Sequence, residues 1–251
     1  MKKLIMIVTI AAMMISVTGC ISVNWGGGQD VIVGKGEIVT KNYPMSELGE
    51  FTKVAINMQS KLYLIQGETD EVRIELHENL VEHMNVTNSY GILNIGSVKN
   101  LRTNRNDRNT PRIYITCRTL EALAINGVVE FSETDTITAE SFSLDLAGVS
   151  SGKLNLHVKD LNVDISGVGD LTLTGTAGKA RIDSSGVGNL DAFGLTIKEA
   201  DVGLSGVGSV DISCEEHLKI NLSGLGSIRY KGNPEISQNK SGLGSITKVN
   251  D

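Results

Sequence analysis

Five near-identical segments divide the second half of the chain at regular intervals, and they constrain its fold more than any other feature. They are SGVGDL from Ser166, SGVGNL from Ser185, SGVGSV from Ser205, and SGLGSI from Ser223 and again from Ser241. Two looser copies, NGVV and AGVS, precede them at Gly127 and Gly148. The first glycines of the seven copies are 18 to 21 residues apart. A period near 19 residues that tolerates small slips is typical of a solenoid, in which each repeat is one turn of a coil.

Alignment of the repeats on the first glycine separates inward from outward positions. Two apolar columns lie four and two residues before the glycine: Leu123, Leu144, Val163, Ile182, Val202 and Ile220, and Ile125, Leu146, Ile165, Ser184, Leu204 and Leu222. The residues between them are mostly polar, and this alternation predicts a strand. A second strand is predicted after each corner, from Leu171, Leu190, Val210, Ile228 and Ile246. The predicted fold class is therefore all-β: a parallel β-helix with coils of about 19 residues, more irregular in the N-terminal half.

The corner motif has a structural interpretation. Glycine tolerates positive φ and has no Cβ, so Gly167, Gly186, Gly206, Gly224 and Gly242 are expected to stack in a sharp bend at about 4.8 Å per coil. The aliphatic residue between the two glycines is expected to fill the inside of that bend. A phosphate-binding loop occurs once, before a helix, whereas this motif recurs between strands, so no nucleotide site is predicted.

These segments also resemble a known family. The corners, together with the preceding FTKVAINMQSKLYLIQGETDEVRIELHENL and PRIYITCRTLEALAINGVVEF, are similar to the auto-transporter adhesin head, or GIN, domain of bacterial envelope proteins. The resemblance runs from about Phe51 to Ile246. It implies a right-handed parallel β-helix and an adhesin-like role, and it carries over no catalytic residues.

The N-terminus has the features of a lipoprotein signal. Lys2 and Lys3 precede an apolar run, and Val17-Thr18-Gly19-Cys20 fits a lipobox. We therefore predict a signal peptide over residues 1–19, acylation of Cys20, and a flexible tether over 20–36 that is rich in glycine. An irregular β part is predicted over 37–116 and the regular solenoid over 117–251. The predicted location is the outer membrane of a Gram-negative envelope, on either the periplasmic or the surface face.

Composition restricts the partners. The formal charge of −6 becomes −8 once Lys2 and Lys3 leave with the signal, and an acidic surface excludes nucleic acid as the expected ligand. The partners that remain open are the membrane through its lipid, a glycan or peptidoglycan, an envelope protein, and another copy of the chain. A basic loop with Arg102, Arg105 and Arg108 is interpreted as solvated, with an anionic glycan as the alternative.

One column of carboxylates is a candidate cation site. Asp145, Asp164 and Asp183 each lie three residues before a corner glycine, so they are expected to stand one above another on an outer face. Solvated carboxylates are the first interpretation, and a Ca²⁺ site is the alternative, because Ca²⁺ takes carboxylate oxygens. No other cofactor is predicted.

The cysteines are expected to remain unpaired. Cys117 and Cys214 both lie ten residues before a corner glycine, which places them in one column five coils apart. About 24 Å would then separate them, far beyond the reach of a disulfide.

Catalysis has no motif in this sequence. HExxH, CxxC and GxSxG are absent, and the four histidines show no ligand spacing. We therefore predict a non-catalytic envelope lipoprotein whose rigid solenoid presents a binding or adhesion surface. The alternative is a polysaccharide lyase or glycosidase, since β-helices also carry such enzymes, but only 4% of the residues are aromatic and available to stack on sugar rings.

Overall fold

A computed structural model describes residues 31–102 and 110–250. The lipidation candidate Cys20, Arg105 and Arg108 lie outside these ranges. Almost all of the described secondary structure is β, and the strands form a solenoid of about 7 turns with coils about 19 residues apart. The fold class predicted from the repeats is confirmed.

Nineteen strands are present among the described residues, together with one short helix, α1 (Met45–Leu48), and a 3₁₀ helix, Glu78–His83. The N-terminal strands are β1 (Val31–Val33), β2 (Ile38–Tyr43), β3 (Lys53–Ile56), β4 (Ser60–Gln66), β5 (Glu71–His77), β6 (Met84–Ser89), β7 (Ile92–Ser97), β8 (Asn100–Arg102) and β9 (Arg112–Cys117). The solenoid strands are β10 (Ala122–Ile125), β11 (Val128–Thr134), β12 (Thr136–Leu146), β13 (Val149–Ile165), β14 (Val168–Ser184), β15 (Val187–Leu204), β16 (Val207–Leu222), β17 (Leu225–Lys231), β18 (Glu235–Lys240) and β19 (Leu243–Lys248).

Two faces of stacked strands meet at the corners. Face A holds the segments before each corner, in the order β6, β7, β3, β10, β12, β13, β14, β15, β16, β18. Face B holds the segments after it, in the order β2, β5, β9, β4, β11, β13, β14, β15, β16, β17, β19. The strands β13 to β16 are long because each contributes to both faces and bends between them.

The core lies between the two faces. Both apolar columns predicted before the corner face inward, and from Leu123 to Ile220 the first of them is at most 1% exposed. Leu171, Leu190, Val210 and Ile228, which follow the corners, are buried as well. The alternation in the sequence therefore identified the inner wall of the solenoid correctly, because a stacked strand buries one side of its pleat.

The N-terminal end of the solenoid is closed by antiparallel strands. Strand β6 pairs with β7 on face A, and β5 pairs with β9 and β2 on face B, all antiparallel. Strands β3 and β4 already stack in parallel beneath β10 and β11, so the parallel stack begins before residue 117. Residues 31–33, which the sequence assigned to the tether, form β1 and pair with β8.

The C-terminal coil has polar side chains at core positions. Gln238 and Lys240 lie in register with the buried Ile220 and Leu222. Lys248 lies in register with Tyr230, which follows the buried Ile212 in the same column. Charged side chains at inward positions of an edge strand oppose the addition of another strand. This end is therefore built against end-to-end stacking.

Candidate functional site

The corners form a continuous ridge because their glycines stack directly on one another. A Cβ at Gly206 would overlap the carbonyl oxygen of Gly186 and lie 2.7 Å from that of Ser185. The same overlap recurs from coil to coil at the first glycine of each corner. The first glycines do not have positive φ, so that position needs glycine for space, whereas Gly188 and Gly208 at the second position have φ of 146° and 147°.

The aliphatic residue between the two glycines points outward, and the prediction that it fills the bend is wrong. Val168 and Val187 are each 51% exposed, and Leu243 is 78% exposed. The reason is steric: a Cβ at the second glycine, such as Gly188, would also overlap backbone of the preceding coil, so the inside of the bend has no room for a side chain. Side chains alternate between the two sides of a strand, and Leu190 points inward, so Gly188 occupies an inward position and Val187 an outward one. Counting back from Leu190 would therefore have predicted the direction of Val187 correctly.

These outward residues form an aliphatic rib along the whole solenoid. Their register is unbroken from coil to coil, and the rib consists of Val128, Val149, Val168, Val187, Val207, Leu225 and Leu243. Six steps of about 4.8 Å make it about 29 Å long. An exposed apolar strip of this extent is comparable to the largest apolar patch of a typical monomeric protein, and such a patch is often functional.

A second column borders the rib across the glycines. It carries Asn126, Ala147, Ser166, Ser185, Ser205, Ser223 and Ser241, all exposed. We call it the hydroxyl column, because its last five residues are serines. Between the hydroxyl column and the rib lies a shallow groove of about 510 Å³, which runs over the last four corners and has glycines as its floor. We call the rib, the glycines and the hydroxyl column together the corner ridge.

The corner ridge offers side chains rather than free backbone. Val187 N donates to Gly167 O at 2.9 Å, and Val207 N donates to Gly186 O at 2.9 Å. Such bonds join each corner to the next, so a partner cannot add to the ridge as an extra strand. Recognition here must rest on apolar contact and on serine hydroxyls.

The predicted aspartate column is assembled on face A beside the ridge. Asp145, Asp164 and Asp183 are in register, and the next coil has Gly203 in their place. Desolvation at the sheet surface and the neighbouring Asp164 carboxylate raise the pKa of Asp145. Arg181 contacts Asp183 at 2.8 Å.

The calcium site on this column stays a prediction, and the geometry favours the other interpretation. Within residues 31–102 and 110–250, no group of three or more His, Cys, Asp or Glu side chains is arranged to hold a metal ion. The three carboxylates are held apart at the spacing of stacked strands, and the Asp183 carboxylate is already paired with Arg181. Both features favour solvated carboxylates over a calcium site.

The other border of the ridge, on face B, is a polar ladder that the sequence did not reveal. Asn189 donates through Nδ2 to Asp170 Oδ1 at 2.7 Å, and Ser209 Oγ donates to Asn189 Oδ1 at 2.7 Å. Acidic residues occur on this border only in the early coils, at Glu130 and Asp170. Towards the C-terminus both borders of the ridge carry no charge.

A second concavity, of about 430 Å³, lies on face A and is lined by charged residues. Its three carboxylates have basic neighbours: Glu199 pairs with Lys179 at 3.0 Å, Asp201 pairs with Lys219 at 2.8 Å, and Glu235 lies 3.5 Å from His217 Nδ1. A glycosidase needs one carboxylic acid and one free carboxylate flanking the substrate. The ion pairs of this concavity are typical of a solvent-exposed strand face rather than of such an active site.

An aromatic stack lies on face B of the N-terminal end. The rings of Tyr63 and Tyr114 are 4.4 Å apart and nearly parallel, and the Arg73 guanidinium lies 3.8 Å from the Tyr114 ring. Glu75 accepts from Arg73 at 2.8 Å and from Tyr114 at 3.3 Å. Burial and the Glu75 carboxylate raise the pKa of Tyr114. Because both faces of Tyr114 are covered by protein, this stack braces the end coils rather than offering a sugar platform.

Both described cysteines are free and buried, but the column assigned to them is wrong. Cys117 ends β9 and pairs with Gln66 on face B, whereas Cys214 is in register with Ile197. Both cysteines lie ten residues before a corner glycine, but the chain between is different. A separate strand, β10, lies between Cys117 and its corner, whereas Cys214 lies within β16, which runs up to its corner. Burial, with a smaller effect from Asp70, raises the pKa of the Cys117 thiol to about 12.

The described residues contain no helix that is long and apolar enough to cross a membrane.

This chain is similar to a known protein family and to several solved structures. A family model described as "Putative auto-transporter adhesin, head GIN domain" matches residues 50–234. A crystal structure of a "putative adhesin" from Bacteroides fragilis is 28% identical, with a TM-score of 0.81, over 87% of this chain and 100% of that one. None of the curated proteins is similar enough to match.

Two more distant crystal structures share the fold. A "putative adhesin" from Parabacteroides merdae is 22% identical, with a TM-score of 0.62, over 88% of this chain and 99% of that one. A "putative lipid binding protein" from Parabacteroides distasonis is 20% identical, with a TM-score of 0.69, over 87% of this chain and 99% of that one.

Proposed function

The chain belongs to the family of the auto-transporter adhesin head, or GIN, domain, and we propose that it is a non-catalytic adhesion module of the cell envelope. Its binding surface in this proposal is the corner ridge. The observation that carries the proposal is the unbroken aliphatic rib, whose residues are between 46% and 78% exposed. The core is complete without this column, so packing in the core does not account for its apolar residues.

The anchor in this proposal is a lipid on Cys20. The lipobox supports it, and ten residues lie between Cys20 and Val31, the first residue of the first described strand. Two or more acyl chains would hold the protein firmly at the outer membrane, because a single chain gives only marginal binding. Cys20→Ser should move the protein from the membrane fraction to the soluble fraction or leave an uncleaved precursor.

The membrane face is tested by protease treatment of intact cells, with lysed cells as the control. Digestion of the chain on intact cells would place the ridge outside the cell, where it meets other cells or host glycans. Digestion only after lysis would restrict its partners to the periplasm.

The ridge itself is tested by a charge placed at its centre. Surfaces coated with the purified chain are exposed to whole bacteria that produce it, and the number of retained cells is counted. Val187→Asp should reduce retention severalfold, because it puts a carboxylate in the middle of the apolar rib. Ile65→Asp is the matched control, since Ile65 is a 39% exposed aliphatic residue of β4 away from the ridge. Equal retention by the wild type and Val187→Asp would exclude the ridge as the binding surface.

A further inference from the structure

We propose that the partner bound by the corner ridge is the ridge of a second copy, lying parallel and in register. This inference rests on the proposed function, because it takes the ridge as the binding surface. The first reason is shape: each copy has both a rib and, beside it, a groove floored by glycines. The rib of one copy has the same repeat along its axis as the groove of another, since both follow the coil spacing.

The relative orientation of the two copies follows from symmetry, because only one kind of two-fold axis lets the rib of each copy enter the groove of the other. A two-fold axis parallel to the solenoid exchanges left and right, so each rib faces the glycines of the other copy. An axis across the solenoid would instead set rib against rib and leave both grooves empty. Only the parallel pair places both ribs in grooves, and it puts the two N-termini at the same end, as two lipid anchors in one membrane require.

Charge supports a second copy at the C-terminal half of the ridge. The 28 residues of the seven corners, from NGVV at Asn126 to SGLG at Ser241, include no charged side chain, although 21% of the chain is charged. In the last three coils the neighbouring columns are also uncharged, with Gly203, Asn221 and Asn239 on face A. Two acidic proteins can therefore approach here without direct repulsion.

The area available is sufficient for a specific pair. A half-exposed valine or leucine presents on the order of 60 Å² of apolar surface, so seven present roughly 400 Å² on each copy. With the hydroxyl column included, two copies would bury about 1,000 Å², the lower limit of a specific interface. This predicts a weak, reversible pair in solution that is strengthened where both copies are held in one membrane.

Other occupants fit less well. Peripheral membrane binding favours aromatic and basic residues, whereas acidic Asp145 and Asp164 border this ridge. An extended peptide would need free backbone groups, and those of the corners bond to the next coil. At the C-terminal end of the solenoid, Lys240 and Lys248 at inward positions oppose the stacking of another coil.

The test is oxidative cross-linking of single cysteines in the full chain, in membranes of the cells that produce it. Leu225→Cys should give a disulfide-linked dimer, and Val149→Cys should do so as well, because parallel register sets each coil beside the same coil of the partner. The wild-type chain, with Cys117 and Cys214 buried, and Ile65→Cys should give none. Adding Val187→Asp to Leu225→Cys should reduce the dimer at least tenfold without changing the Tm.

The outcomes separate this inference from the proposed function. If mixing Leu225→Cys with Val149→Cys gives a dimer while neither variant does alone, the pair is antiparallel and the proposed arrangement is wrong. If no rib cysteine cross-links, but Val187→Asp still reduces cell retention severalfold, the ridge binds a different partner and the proposed self-pairing is wrong. If Val187→Asp affects neither measurement, both proposals fall.

Discussion

Replacing one corner glycine by alanine isolates the steric requirement of the stack. In Gly206→Ala the new Cβ overlaps the carbonyl oxygen of Gly186, and the backbone that carries the Cβ is hydrogen-bonded to that same preceding coil. The coils must separate locally, which weakens three bonds: Ser205 N and Gly206 N to Ser184 O at 2.9 and 3.1 Å, and Val207 N to Gly186 O at 2.9 Å.

The size of the effect follows from these contacts. Three backbone hydrogen bonds are worth about 1 kcal/mol each, and they need not be lost completely. Overpacking adds about 1–3 kcal/mol. A loss of roughly 4 kcal/mol is expected, and at about 2–4 °C per kcal/mol for a domain of this size the Tm should fall by about 8–16 °C.

The assay is thermal unfolding followed by circular dichroism at 218 nm or by calorimetry. Val207→Ala is the matched control, since it changes the next residue of the same corner but points outward and is 47% exposed. Its Tm should stay within about 2 °C of the wild type, because surface substitutions rarely change stability by more than about 0.5 kcal/mol. Equal Tm values for Gly206→Ala and the control would refute the tight stacking of the corners.

Three further results are expected. Cys117 and Cys214 should not react with a thiol reagent at pH 8 in the native protein and should react fully in urea, because burial raises both pKa values and the thiolate is the reactive form. Arg229→Met should lower the Tm more than Asp211→Asn does, since it leaves a carboxylate that is only 6% exposed without its guanidinium partner. Millimolar Ca²⁺ should leave the Tm unchanged, and a rise that Asp164→Asn removes would revive the cation site on the aspartate column.

The repeat allowed much of the fold to be predicted, and its failures have definite physical causes. The inward columns were predictable because burial on one side of a strand imposes a period of two, as from Leu123 to Ile125. The direction of Val187 was missed because a bend was assumed to have an inside large enough for a side chain. In fact both flanking glycines are pressed against the backbone below.

The ends of the solenoid were less predictable than its middle. Antiparallel pairing of β5 and β6 depends on contacts between distant segments, and local alternation is the same for parallel and antiparallel strands. The polar residues at the last core positions, such as Lys240, are visible in the sequence. Their meaning appears only when the register with Leu222 is known.

The candidate site was predictable only in part. The stacking of Asp145, Asp164 and Asp183 followed correctly from their spacing, but spacing does not reveal whether oxygens converge on one point. The uncharged character of the corner ridge is also written in the sequence. It becomes significant only once the rib is known to be exposed.

The most direct test of this account is the accessibility of the rib compared with the inner wall of the same coil. Val187→Cys and Leu190→Cys are labelled with a maleimide in the folded protein, at a concentration too low for self-pairing. Val187 is 51% exposed and Leu190 only 2%, so the first variant should react at nearly the rate of an unfolded thiol and the second at least a hundredfold more slowly. Protection at position 187 together with rapid labelling at position 190 would show that the rib faces inward and would contradict the proposed binding surface.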